Sequence, residues 1–246
     1  AFNSPGAEGF GVKRAGLAVP DSVMLIVSPG CCGRNTSVLS SMRAYQDRFY
    51  YLLMDETDIV TGRHLKKIPK AVAEICEGLK KKPSVVMICI TCVDALLGTD
   101  MERVCHKAEE YAGVPVRPCY MYALTREGRK PPMVHVRQSV YSLLEPKKKK
   151  GNVVNLLGYF SPLTDDCELY DLLHGAGVKT IHEISRCKDY AQYQTMSEAN
   201  FNLVLHPEAR FAAEDFHDRL KIPYIELRRL YQIHKIASQY RAFAAA

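Results

Sequence analysis

Eight short apolar runs, each followed by a polar or helix-period stretch, constrain this chain more than any other feature. They fall at 23–27, 50–54, 85–91, 114–118, 152–158, 177–182, 201–205 and 222–226. Most lack the apolar/polar alternation of a half-solvated strand, as expected for strands covered on both faces of a parallel sheet. Between them, apolar residues recur at helical spacing. One set is Leu65, Ile68, Val72, Ile75 and Leu79; another is Met101, Val104, Cys105, Ala108 and Ala112; a third is Leu169, Leu172 and Leu173, with a stop at Gly175. Strand and helix alternating throughout predicts an α/β fold of repeated Rossmann-like domains, parallel sheets flanked by helices.

The alternation is interrupted near 145–151, where a proline and four lysines precede a fresh apolar run. This predicts a first domain over 1–147 and a second over 148–246. A 246-residue chain with 47% apolar residues has enough material for two such cores. In open parallel sheets, ligands bind beyond the carboxyl ends of the strands, so chemistry is expected in the loops there.

Other function classes are weakly represented. No apolar run approaches the roughly 20 residues that span a bilayer, and the first residues lack a charged leader followed by a hydrophobic stretch. A cytoplasmic protein without membrane partners is expected. The net charge of +6 is modest, and the lysine run at 147–150 reads as a solvated spacer rather than a nucleic-acid site. No GxxxxGK[ST] phosphate loop and no HExxH zinc pair occur.

Nine cysteines are many for a chain expected in a reducing compartment, where disulfides are rare. Cys31 and Cys32 follow the first apolar run in PGCCG, and Cys92 follows the third in ITCVDALLGTD. Both loops belong to the carboxyl edge of one predicted sheet, so cysteines distant in sequence are brought together. Thiolate is the ligand that iron–sulfur clusters select, and Gly30 and Gly33 would let a loop approach a bulky cluster closely. The competing reading is that these are small buried residues. Cys89, Cys76 and Cys105 read as core, Cys119 as an outlying ligand candidate, and Cys167 and Cys187 have no evident partner. Asp55, Glu56 and Asp58 stand on the same edge, either as acid/base groups or as helix caps; Thr99 or Asp100 is expected to cap the next helix.

Four stretches, taken in order, resemble the nitrogenase component 1 superfamily, which includes the MoFe protein subunits and their assembly scaffolds, the dark-operative protochlorophyllide and chlorophyllide reductases and the nickel-tetrapyrrole reductive cyclase. VSPGCCG at 27–33 resembles the family's His-Gly-Pro-x-Gly-Cys-Gly loop, and DETDIVTGRHLKK at 55–67 its Glu-x-Asp-Ile-Val-x-Gly-Gly segment. ITCVDALLGTD at 90–100 resembles its Ser-Thr-Cys-x-x-x-x-Ile-Gly-Asp-Asp segment, and 199–227 its later Asn-Leu-Val strand, helix and Gly-Ile-Pro turn.

The resemblance implies an iron–sulfur cluster, 4Fe-4S or larger, held by Cys92 with Cys31 or Cys32. Counting from Pro29 the family cysteine falls on Cys32; matching the Gly-Cys pair, it falls on Cys31. It also implies a homologous subunit, or a second copy of this chain, across a cluster-containing interface, and an ATP-hydrolysing iron–sulfur reductase as electron donor. The implied function is that of a subunit of a two-component reductase relaying low-potential electrons. The alternatives are a cofactor-assembly scaffold and a metal-free binding protein on the same fold. Three departures stand out: no cysteine near the start, Val27-Ser28 in place of His-Gly, and no counterpart of the family's third domain, so that an incomplete sequence or a shortened relative is expected. Catalytic residues and substrate are not readable from this sequence.

Overall fold

A computed structural model describes residues 5–30, 40–121 and 130–245. Cys31, Cys32 and Gly33 lie outside the described residues, as does Ser4 with the three residues before it. The chain divides into two compact units, 1–143 and 144–246.

Unit 1 is built on a parallel sheet of order β2-β1-β3-β4. Its strands are β1 (Val23–Ser28), β2 (Phe49–Leu53), β3 (Val86–Ile90) and β4 (Val116–Tyr120). Alternate side chains of β1 and β3, including Leu25, Val27, Ile88 and Ile90, pack with Ile68 and Val72 of α3 (Arg63–Gly78) and with Met101, Cys105 and Ala108 of α5 (Met101–Ala112). On the other face, α1 (Pro5–Gly16) meets the sheet closely enough that a Cβ on Gly16 would lie 2.7 Å from a Met24 carbon and 2.9 Å from Cys119 Sγ. A side chain at this position would have to displace the Met24 methyl and the Cys119 sulfur. α6 (Pro132–Tyr141) completes that layer and buries Val136 and Val140. The two short helices α2 (Glu56–Thr61) and α4 (Cys92–Leu96) lie just beyond the carboxyl ends of β2 and β3.

Unit 2 repeats the topology, with order β6-β5-β7-β8. Its strands are β5 (Val153–Leu157), β6 (Thr180–His182), β7 (Phe201–Val204) and β8 (Tyr224–Glu226). Val154, Leu156 and Leu203 pack with Leu169 and Leu173 of α7 (Glu168–Gly175), and Tyr240 and Phe243 of α10 (Ile233–Ala244) join them. A short α8 (Tyr190–Gln194) follows β6, and α9 (Arg210–Leu220) joins β7 to β8 and buries Ala212, Ala213 and Phe216.

All eight expected strands are present and all are parallel. The differences have physical causes. β2 is an edge strand with one uncovered side, so Tyr51 and Leu53 are exposed although the run reads as uniformly apolar. β6 and β8, the edge strands of unit 2, keep only three residues each. α1 is not marked in the sequence, since its Gly-rich segment has weak intrinsic helix preference and is held by packing instead. The lysine run is not a free spacer: Lys149 Nζ donates to Ser197 O at 2.6 Å, and Lys147 and Lys150 pair with Glu198.

Candidate functional site

In unit 1 the connections from β1 and β3 run in opposite directions across the sheet, so the crevice between the carboxyl ends of these two strands is the switch point at which open α/β sheets bind ligands. The described groups on its rim come from three places. Ser28 ends β1, Thr91 and Cys92 follow β3, and α2 with the start of α3 follows β2.

Ser28 and Thr91 continue the β1–β3 register by one position beyond the paired Val27 and Ile90. Both are buried, at 0% and 2% exposure, and both hydroxyl oxygens lack a hydrogen-bond partner. Next to Thr91, Cys92 opens α4 as a half-buried free thiol. The other thiols of this unit are differently placed. Cys89 and Cys119 face each other in register across β3 and β4, fully buried, and burial pushes the Cys89 thiol up to about 12 and that of Cys119 well above the usual range. Cys105 is in the apolar layer under α5 and is shifted upward by the same desolvation. Cys89 and Cys105 are core, as the sequence suggests. Cys119 is core as well, which removes it as an outlying ligand candidate. In unit 2, Cys187 lies against Glu183, its Sγ 3.4 Å from that residue's carbonyl oxygen, and its thiol is pushed up to about 11, first by burial.

The acidic cluster is structural. Asp55 caps α2 by accepting from Asp58 N at 2.7 Å, and Asp58 closes the reciprocal capping box. The Asp58 carboxylate is buried and receives Lys67 Nζ at 2.7 Å and Arg63 Nε at 2.6 Å. These two charged partners hold its pKa well below the usual carboxylate range, Lys67 most strongly, against the opposing effect of desolvation. Gly62 adopts φ +64°, ending α2 and opening α3, a conformation for which glycine is the natural choice. Gly30 is different. It has no positive φ, and a Cβ there would meet none of the described residues within 4 Å, so its backbone conformation does not demand the glycine. Asp100, not Thr99, caps α5, accepting from Arg103 N at 3.1 Å.

One feature of the rim has no sequence signal. His64 of α3 and Asp94 of α4 are both fully buried, with Nε2 and Oδ1 2.9 Å apart. His64 Nδ1 lies 3.0 Å from Asp58 O, an acceptor only, so that nitrogen carries a hydrogen. Thr99 Oγ1 also donates to Asp94 Oδ1 at 3.1 Å, whereas Oδ2 has no partner. This cross-link joins the helix that begins at Cys92 to the one that begins at Arg63. Thirty residues separate the partners, and only the strand order brings them together.

The model of one protein family, described as nitrogenase component 1 type oxidoreductase, matches residues 8–246. The chain belongs to this family. Among curated relatives, it is 26% identical over 219 residues to the nitrogenase iron-molybdenum cofactor biosynthesis protein NifE of a Nostoc species, covering 85% of this chain and 45% of that protein. It is also 26% identical over 263 residues to the NifE of Klebsiella pneumoniae, covering 98% of this chain and 57% of the relative. The chain thus spans about half the length of the curated relatives it matches. Among solved structures, a nitrogenase Cp1 at pH 6.5 superposes with a TM-score of 0.68 at 17% identity, over 94% of this chain and 56% of that one. At that identity the likeness concerns the fold: repeated Rossmann-like α/β units.

The described rim fits a sulfur-ligated cluster in part. It offers a half-buried thiol and, beside it, two buried hydroxyls free to donate to an acceptor. Among the described residues no three His, Cys, Asp or Glu side chains converge on a metal position. Cys31 and Cys32, the other expected ligands, lie outside the described residues.

Proposed function

We propose that this protein binds an iron–sulfur cluster, 4Fe-4S or larger, at the carboxyl edge of unit 1. Cys92 supplies one thiolate and Cys31 or Cys32 another. The observation that carries the reading is the position of Cys92: half-buried, at the switch point of a parallel sheet, just past β3 and beside β1, the strand that the other two cysteines follow in sequence. When bound, the cluster would take up and release low-potential electrons. The chain's own thiolates would hold it, and the carboxyl edge of the sheet would keep water away.

In this reading the protein acts as a subunit of a nitrogenase-like two-component reductase, with an ATP-hydrolysing iron–sulfur protein as donor. A homologous subunit or second copy covers the cluster and completes its ligands. Exposed apolar side chains on the same rim support a covered surface: Leu53 at the end of β2, Val60 on α2, and Leu96 and Leu97 on and after α4. No helix among the described residues is long and apolar enough to cross a membrane, and no membrane partner is proposed.

A second reading, a scaffold on which a cluster is held and passed on, is favoured by the relatives named for iron-molybdenum cofactor biosynthesis. One anaerobic experiment tests both. Iron and acid-labile sulfide are measured on wild type, Cys92→Ala and Cys31→Ala/Cys32→Ala, with EPR after dithionite reduction, and the loaded protein is then mixed with an apo-acceptor. Cluster loss in both folded variants is the expected result. Retention through repeated redox cycles supports the relay, and transfer to the acceptor supports the scaffold. A reconstituted wild type without iron would leave only a metal-free binding protein, and variants that keep their iron unchanged would remove these cysteines as its ligands.

A further inference from the structure

We propose that Ser28 and Thr91 are a pair of hydroxyl donors to the sulfur atoms of the bound group, setting its reduction potential rather than ligating it. The inference rests on the cluster-binding reading above and adds residues and a property to it.

Ser28 is the last residue of β1 and Thr91 the first after β3, and the register of Val27 with Ile90 puts them side by side. Their backbones are already used or fixed by the sheet: Ser28 O accepts from Met54 N at 3.0 Å, and the neighbouring Ile90 O accepts from Met121 N at 3.3 Å. The hydroxyls are not used. Each is buried, and neither has a partner. Burying a hydroxyl without a hydrogen bond is costly, and native proteins do it seldom, so two adjacent instances at a ligand-binding edge call for an acceptor that arrives from outside the chain.

The chemistry of that acceptor follows from the surroundings. Thr91 is the immediate neighbour of Cys92, so the nearest electron-rich atoms would be the Cys92 thiolate and the sulfides it helps to hold. A hydroxyl can donate to such sulfur without losing its proton. When one electron enters the cluster, the added negative charge strengthens the two hydrogen bonds, and both protons stay on their oxygens. The reduced state therefore gains more than the oxidised one, and the potential rises.

The test is an anaerobic EPR-monitored redox titration of the reconstituted wild type, Ser28→Ala, Thr91→Val, the double variant and Thr91→Ser, with iron and sulfide content measured on each. The expected result is equal cluster content throughout and a stepwise fall in the reduced-to-oxidised ratio at fixed potential. That fall should reach about tenfold in the double variant, which for a one-electron couple is about 59 mV. Thr91→Ser, which keeps the hydroxyl, should titrate like wild type. Urea unfolding of the apo forms gives a second readout: removing unpaired buried hydroxyls should leave the midpoint unchanged or raised. A double variant that keeps its cluster and titrates like wild type overturns the inference and leaves the cluster standing. A folded double variant that loses its iron overturns it too, since the oxygens would then be ligands. A lowered apo midpoint overturns it by making the hydroxyls structural. Absence of iron and sulfide in wild type overturns the cluster reading itself.

Discussion

The two units share one strand order, yet their carboxyl edges are finished differently. In unit 1 the switch point is bordered by polar atoms left unpaired, the hydroxyls of Ser28 and Thr91, and by the Cys92 thiol. In unit 2 the equivalent strand ends are closed against each other. Gly158, after β5, takes φ +138°, and a Cβ there would lie 2.7 Å from His206 N, just after β7. Tyr159 then sets its ring edge-on to His206, with centroids 5.7 Å apart, and receives Arg229 at 2.9 Å. The unpaired buried atoms of Asn155 and Asn202 lie within β5 and β7, where the two residues are register partners, and not at the strand ends. A repeated topology supplies two switch points, and the residues at and just past the strand ends leave unpaired polar groups at one and close the other.

The sharpest way to break this contrast is at the cross-link of unit 1. His64→Ala leaves the Asp94 carboxylate buried without its partner, and unit 1 should lose about 3–5 kcal/mol, read from urea unfolding. An unchanged midpoint would mean that the pair does not hold the rim. The corresponding test of unit 2 is Gly158→Ala, which forces a side chain into a conformation reserved for glycine and into the His206 backbone. The strain alone is about 1–3 kcal/mol, so the transition of unit 2 should move and that of unit 1 should not.

Acid should distinguish the units next. The folded pKa of Asp58 lies below its unfolded value, so its stabilisation is present above the ordinary carboxylate range and is lost as pH falls through and below it. Glu198, also depressed, chiefly by its hydrogen bond with Lys150, has the same sign in unit 2. Asp58 is held by two cations and Glu198 mainly by one, so Asp58→Asn should flatten the acid limb of unit 1 more than Glu198→Gln flattens that of unit 2 in pH-dependent unfolding. The smallest effect belongs to Gly30→Ala, where an added Cβ meets none of the described residues: a change within about 0.5 kcal/mol, set against the large cost at Gly158.

Much of this is visible in the bare chain. Strands covered on both faces must be apolar at successive positions, so β1, β3 and β5 announce themselves, and the placement of Cys92 after β3 follows directly. Capping is equally local: Asp55 and Asp100 act within three residues of themselves. The exposure of Leu53 is not local, because an edge strand differs from a central one only in what lies beside it.

The amino-acid order by itself determined the alternation of elements, and hence two parallel α/β units with Cys92 just past the third strand. That follows because periodicity and turn chemistry act over a few residues. Only the tertiary structure decided that His64 meets Asp94, that Cys119 is core, that the hydroxyls of Ser28 and Thr91 stand side by side unpaired, and that Gly158 closes against His206. Each of these depends on which strands become neighbours and where their ends fall in register, a choice made by the packing of whole layers and not by any short stretch of chain.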